Sequence, residues 1–213
     1  MVNATSRAYH VGSSTYTLAS GNFTDSWLTL SGPQNLYRYT YSIDTTNPVS
    51  RISNVGFNTQ GVVFNGNLTD GWFTGGFTGG VIGSKILRLT YANDTVAPVA
   101  KGTIVYNISS ATYASNNTNG WIIDGETSPG PVARSSIIRI EYATDTGNFS
   151  QIASDLISRL WLTNSVNGTD TWIAGGAGTP AIGSSSVTRY NFSNDSVVAV
   201  GNLTRSTSHF AGR

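Results

Sequence analysis

Residues able to do chemistry are few in this chain, and most of them recur at a fixed interval. Arg38, Arg88, Arg139 and Arg189 stand 50, 51 and 50 residues apart, and six residues after each comes Asp44, Asp94, Asp145 or Asp195. Cations and carboxylates in such columns could line a channel and hold an anion or a sugar. The competing reading pairs each Arg with an Asp or a backbone carbonyl of its own or a neighbouring unit. Recurrence in every unit favours that structural role, since functional residues tend to be singular within a repeat array. Among singular residues, Glu126 and Glu141 are the only glutamates, and Asp124-Gly-Glu126 is the one local acidic pair. Glycoside hydrolysis needs two facing carboxyl groups, so Asp124 and Glu126 are candidates. Trp72, Trp121 and Trp172, together with Tyr16, each lead an apolar run ending in Gly. Exposed, such rings stack on sugars; wedged between sheets, they are core. The candidate ligand-binding set is therefore Trp72, Trp121, Asp124, Glu126 and Trp172.

No metal site and no cofactor is expected. His10 and His209 are the only histidines, and nothing nearby supplies a third ligand or an orienting carboxylate. Gly75 to Gly80 lacks the Lys and the following helix of a phosphate-cradling loop. The absence of Cys removes disulfides, thiolate catalysis and cysteine-ligated metals.

The elements that must position these residues are strands. The chain has 213 residues, 24 Gly, 12 basic and 11 acidic residues, and a net charge of +1. That balance offers no broad field to nucleic acid or to an anionic membrane. Charged residues make up 11%, well below the usual quarter, and Ser, Thr, Asn and Gly replace them. Regularly spaced aromatic and β-branched residues argue for a folded β protein rather than disorder. No apolar run is long enough to span a membrane, and Met1 to Arg7 does not read as a signal peptide. Asn-x-Ser/Thr recurs, at Asn22, Asn67, Asn116 and Asn167 among other places, and reads as a coincidence of composition.

Four segments align without gaps: Leu36 to Thr45, Ile86 to Thr95, Ile137 to Thr146 and Val187 to Ser196. Each carries Arg, then Tyr41, Tyr91, Tyr142 or Phe192 three residues later, then the Asp. An aromatic-led strand precedes each segment, starting at Tyr16, Trp72, Trp121 and Trp172. Before that comes a further strand, at Arg7 to Gly12, Gly61 to Asn65, Ala111 to Ser115 and Arg159 to Thr163. A last strand follows, at Pro48 to Ile52, Val96 to Ala100, Phe149 to Ile152 and Val197 to Val200. Four short strands in a unit of about fifty residues is the arithmetic of a β-propeller blade. The expectation is one all-β domain over 1–213, with repeats at 6–53, 54–104, 105–154 and 155–204, and 205–213 opening a fifth unit. No helical period is present. Such an array is either a four-bladed ring with an extra strand or part of a larger propeller or assembly.

These units resemble kelch repeats, in which an apolar strand ends in Gly-Gly before a variable loop. Gly75-Gly76 and Gly175-Gly176 keep that pair, while Asp124-Gly125 and Ser20-Gly21 reduce it. The chain is most similar to a looser variant that recurs in virion proteins of tailed phages, which Ile86 to Val96 and Val187 to Val197 match. Ser165 to Trp172 is faintly similar to the Asp-box of sialidases, with its Gly out of place, and the copper oxidases built on kelch scaffolds need a Cys that is absent. The resemblance implies a non-enzymatic structural or adhesive virion protein of a tailed phage: a rigid scaffold or host-surface binding module. Its expected partners are other virion proteins, copies of itself, or a host-surface glycan. The alternative is a carbohydrate-binding or carbohydrate-active propeller, either a lectin or a glycosidase.

Overall fold

The computed structural model describes residues 17–30, 35–42, 49–53, 55, 61–78, 81–127, 132–178 and 182–207. Their strands form four successive sheets. In the first, β1 (Thr17–Gly21), β2 (Asp25–Leu30), β3 (Leu36–Thr40) and β4 (Val49–Ile52) lie in chain order. The second holds β5 (Val62–Gly66), β6 (Asp70–Gly75), β9 (Lys85–Thr90) and β10 (Val99–Ile104), with the hairpin β7 (Phe77–Thr78) and β8 (Val81–Ile82) between β6 and β9. The third comprises β11 (Thr112–Ser115), β12 (Asn119–Ile123), β14 (Val132–Glu141) and β16 (Gln151–Arg159). Its short β13 (Glu126–Thr127) folds back on β14, and β15 (Gly147–Phe149) leaves to pair in parallel with β10 of the second sheet. The fourth holds β17 (Thr163–Val166), β18 (Asp170–Ala174), β19 (Ser184–Asn191) and β20 (Ser196–Thr207). The other strand pairs are antiparallel.

One turn chemistry starts every sheet. Asn22, Asn67, Asn116 and Asn167 each turn their side-chain oxygen onto the backbone N–H groups two and three residues on, and onto the hydroxyl of Thr24, Thr69, Thr118 or Thr169. An Asn side chain that closes a turn in this way fixes the hairpin without help from the core. The recurring Asn-x-Thr triplets are thus turn chemistry in each unit.

That motif corrects the first unit. Its Trp is Trp27, since Trp27 pairs with Arg38 as Trp72 does with Arg88, Trp121 with Arg139 and Trp172 with Arg189. The first strand of unit one is therefore Thr17–Gly21, the run expected to be the second. Tyr16 and Arg7 to Gly12 lie outside the described residues. The first strand of the fourth sheet likewise starts at Thr163, not Arg159, which ends the preceding strand. Two short 3-10 turns, Tyr91–Asn93 and Tyr142–Thr144, follow the third strands of the second and third sheets, where no helix was expected.

The core lies between sheets rather than within them. Trp27, Leu36 and Ile52 of the first sheet meet Val62, Phe64, Phe73 and Leu89 of the second. On the other face of the second, Val63, Trp72 and Ile86 meet Ile122, Ile138 and Ile140 of the third. Trp121, Ile123 and Ile137 then meet Ile173 and Tyr190 of the fourth. Neighbouring residues in a strand point to opposite faces, so Val62 and Val63, or Trp72 and Phe73, serve different cores. A strand buried on both faces reads as a continuous apolar run, which is why Trp121-Ile-Ile123 shows no alternation. Each unit thus has two apolar faces and cannot hide either one alone.

Candidate functional site

Successive sheets are joined by a repeated constellation. The Trp27 ring stacks on Tyr91 with centroids 3.9 Å apart and planes 4° from parallel. Trp72 stacks on Tyr142 at 3.9 Å and Trp121 on Phe192 at 4.0 Å. Trp27 donates its indole N–H to Asp94 at 2.9 Å, and Arg38 Nη1 and Arg51 Nε reach the same carboxylate at 3.3 and 3.2 Å. One joint further on, Asp145 accepts from Trp72 at 3.0 Å and from Arg88 at 3.1 Å, and pairs with Lys101 at 3.3 Å. Every polar partner here comes from the preceding sheet. The Arg and Asp columns therefore bind each other across sheets and do not offer an anion site.

The same Arg also meets an acid in its own sheet. Asp25, Asp70 and Asp170 open the second strand and lie 3.6, 3.7 and 3.8 Å from Arg38, Arg88 and Arg189. Asn191 and Thr169 hydrogen-bond Asp170 and hold its carboxyl below the usual range. In the third sheet Asn119 takes that place, and the acid moves to its cross-strand partner Glu141, 3.8 Å from Arg139. The acid has changed strands while its place opposite the Arg is kept.

The joint between the third and fourth sheets is looser. Ile152 stands where Arg51 and Lys101 supply the second cation of the other joints. Asp195 adopts a left-handed φ of +54° and takes the Tyr190 hydroxyl, with Arg139 3.7 Å away. Burial first, then the Asp195 carboxylate, pushes the Tyr190 phenol up. At the end of the array Trp172 is half-buried. Asp44 lies outside the described residues.

The expected ligand-binding residues are mostly inside the fold. Trp72 and Trp121 are 1% exposed, so no sugar can stack on them. Asp124 and Glu126 lie at the opposite end of the strands from the Trp–Asp joints, and both are buried. Glu126 Oε1 accepts the hydroxyls of Ser109 and Ser110 at 2.9 and 2.8 Å, pinning the segment that enters β11. Asp124 is the more unusual. It has φ +59° and zero exposure, and neither of its oxygens accepts a hydrogen bond. Arg159, also fully buried, lies 3.5 Å from Asp124, pairs with Asp155, and donates to Thr188 at 2.7 Å and to the Ser186 carbonyl at 3.0 Å. One guanidinium thus faces two acids in a dry site. Burial, then the Asp155 carboxylate beside it, raises Asp124 well above the ordinary carboxyl range.

Among the described residues no three His, Cys, Asp or Glu side chains gather as a metal would need, and no helix is long and apolar enough to cross a membrane. His10 and His209 lie outside the described residues.

No family model matches the chain, and no curated protein does. Among solved structures it superposes on that of YjhT with a TM-score of 0.76 and 8% sequence identity. The match covers 88% of this chain and spans 65% of the length of that one. The fold is propeller-like. Its four sheets are blades, and β1, β5, β11 and β17 are their adjacent first strands.

Sequence reasoning passed over Arg159 and Asp155. The signal was available at Arg159, because the corresponding residue of the previous blade connector is Ile108. Both carbonyls accept the N–H of the glycine that ends the turn after the second strand, Gly76 for Ile108 and Gly125 for Arg159. Gly75 before it has φ +72°, and a Cβ there would stand 2.2 Å from the Ile108 carbonyl oxygen, so glycine is required. Asp124 occupies the equivalent left-handed position in blade 3.

A pH dependence follows. The folded state keeps a proton on Asp124 that the unfolded chain releases near pH ~3.9. The stability this contributes is complete below that pH and is lost as pH rises through the elevated folded value. Asn tolerates a left-handed φ, so Asp124→Asn should fold and remove the effect. Thermal melts from pH 4 to 9 should show wild type losing ground steadily to the variant. Parallel curves would refute the raised Asp124 carboxyl.

Proposed function

We propose that this chain is a non-enzymatic structural or adhesive component of a tailed-phage particle, serving as a rigid scaffold or host-surface module. The observation that carries the reading is where the chemistry-bearing side chains lie. Trp72, Trp121, Asp124, Glu126 and Arg159 are all buried and committed to joining blades and connectors. A glycosidase needs two solvent-reached carboxyl groups facing one bond, with room for substrate between them. Asp124 is sealed against Arg159 and Asp155, while Glu126 is an acceptor for two serines, so the pair does not face a shared cleft. The similarity of the repeats to those of phage virion proteins supplies the setting, and a charge content of 11% gives the scaffold a polar surface with few charges.

The role of Glu126 as an acceptor rather than an acid is testable. Glu126→Gln keeps Oε1 for both serines and should cost less than ~1 kcal/mol, whereas Glu126→Ala strands the buried Ser109 hydroxyl and the half-buried one of Ser110 and should cost about 1–3 kcal/mol. Chemical denaturation of both variants measures this. Turnover of a sugar substrate that Glu126→Gln abolishes would overturn the proposal. Particle-level imaging with a labelled chain tests the setting itself: the label should sit on assembled particles at fixed positions. Recovery solely as a free cytosolic monomer would reject it.

A further inference from the structure

The joint that holds one blade to the next has two halves. The donor half is a Trp on the second strand with the Arg opposite it on the third. The acceptor half, on the following blade, is an aromatic ring with a carboxylate three residues later. At the two ends of the array each half lacks its inter-blade partner among the described residues. Blade 4 presents Trp172, half-buried, and Arg189, whose side chain is 47% exposed and whose one ion-pair partner among the described residues is Asp170 of its own blade. Blade 1 presents Tyr41, 46% exposed, whereas its counterparts Tyr91 and Tyr142, each covered by a Trp, are 4% and 7% exposed. Asp44 follows Tyr41 in the sequence at the interval that separates Tyr91 from Asp94.

The exposed halves match each other. Were they joined within one chain, Trp172 and Tyr41 would be as hidden as Trp72 and Tyr142, and they are not. A donor face with a half-buried ring and a half-exposed cation, and an acceptor face with a half-exposed ring, form a self-complementary head-to-tail pair. The internal joints show how such faces fit, down to a 3.9 Å ring separation.

We propose that blade 4 of one copy docks on blade 1 of a second copy through Trp172, Arg189 and Tyr41, repeating the internal joint, and that two such contacts close a two-copy ring. This inference is independent of the phage setting. A heterologous contact forms a ring when its rotation closes. Two arcs of four blades make eight, at the upper end of the usual propeller range of about 4–8.

Light scattering and native mass spectrometry of the full chain at about 10 µM test the proposal. The expected mass is twice that of the 22.5 kDa chain. Trp172→Ala with Arg189→Glu removes the donor face and Tyr41→Ala removes the acceptor face. Each should raise the dimer Kd by about 30-fold or more, the loss of a 2 kcal/mol interface anchor, with the far-ultraviolet circular dichroism unchanged. Mixed together, the two variants should form a one-to-one pair through the one intact joint left to them, since each supplies the face that the other lacks. A wild-type monomer at 100 µM, a dimer insensitive to both variants, or a mixture that fails to pair would each overturn the proposal.

Discussion

Replacing Trp72 with alanine should lower the melting temperature by roughly 10 °C, corresponding to a loss of about 3–5 kcal/mol for a large buried aromatic in a domain of this size. The cost has two sources. The ring fills the space between blades 2 and 3, where it stacks on Tyr142 at 3.9 Å, and alanine would leave a cavity lined by Val63, Ile86 and Ile138. The indole N–H also supplies one of the donors that neutralise Asp145, leaving Arg88 and Lys101 for that carboxylate. Trp72→Phe separates the two. It keeps a ring against Tyr142 and loses the donor, so it should cost about 1.5–3 kcal/mol, as for a hydrogen bond to a charged group. Calorimetry of both variants decides the matter. If the alanine variant lost less than about 1 kcal/mol, the stacked joint would not be what holds the blades together.

Arg159 is the second site of large effect, because removing it leaves two carboxyl groups in a dry pocket. Arg159→Ile should destabilise the chain by roughly 3–5 kcal/mol, the penalty for stranding the partners of a buried charge. Restoring apolar consistency should reverse most of that loss. Blade 2 solves the same packing problem with Gly75, Ile104 and Ile108, where blade 3 has Asp124, Asp155 and Arg159. The triple variant Asp124→Gly, Asp155→Ile, Arg159→Ile copies the blade 2 solution and should return to within about 2 kcal/mol of wild type, since buried ion clusters and well-packed apolar groups are often close in stability. Urea denaturation of the single and triple variants tests both statements. A triple variant no better than Arg159→Ile alone would mean that the cluster does more than fill space.

Much of the architecture was legible because its repeat is written in residue types. The third strands, Leu36–Thr40, Lys85–Thr90, Val132–Glu141 and Ser184–Asn191, fall on the aligned Arg-aromatic-Asp segments. Their local pattern survives because each carries one half of an inter-blade joint. The first unit was misregistered for an equally physical reason. Thr17–Gly21 and Asp25–Leu30 are both short strands of mixed polarity, and a Gly-ended run alone does not separate a first strand from a second. The Asn-Phe-Thr-Asp-Ser-Trp run at Asn22 to Trp27 does, since its turn chemistry must precede the second strand. It was present in all four units, read as composition.

The candidate site was less legible. Trp72 and Trp121 read first as core, with exposed sugar platforms as the alternative, because an indole is suited to both. Burial chooses between them, and burial depends on a blade whose residues lie more than fifty positions away. Arg159 read only as the start of a strand, since a single charge carries no local sign of burial. Its acids, Asp124 and Asp155, join it only when blades 3 and 4 are in place.

By itself, then, the order of residues determined the unit: four strands, an Asn-closed turn, and a matched set of Arg, aromatic and Asp at each fifty-residue step. Those are short-range matters of turn geometry and alternation, and they need nothing beyond the unit to be expressed. Tertiary structure alone decided which partner each side chain takes, because every joint is made between units and every unit has two apolar faces to cover. The same physics leaves Tyr41 half-exposed and Trp172 half-buried at the two ends of the described array.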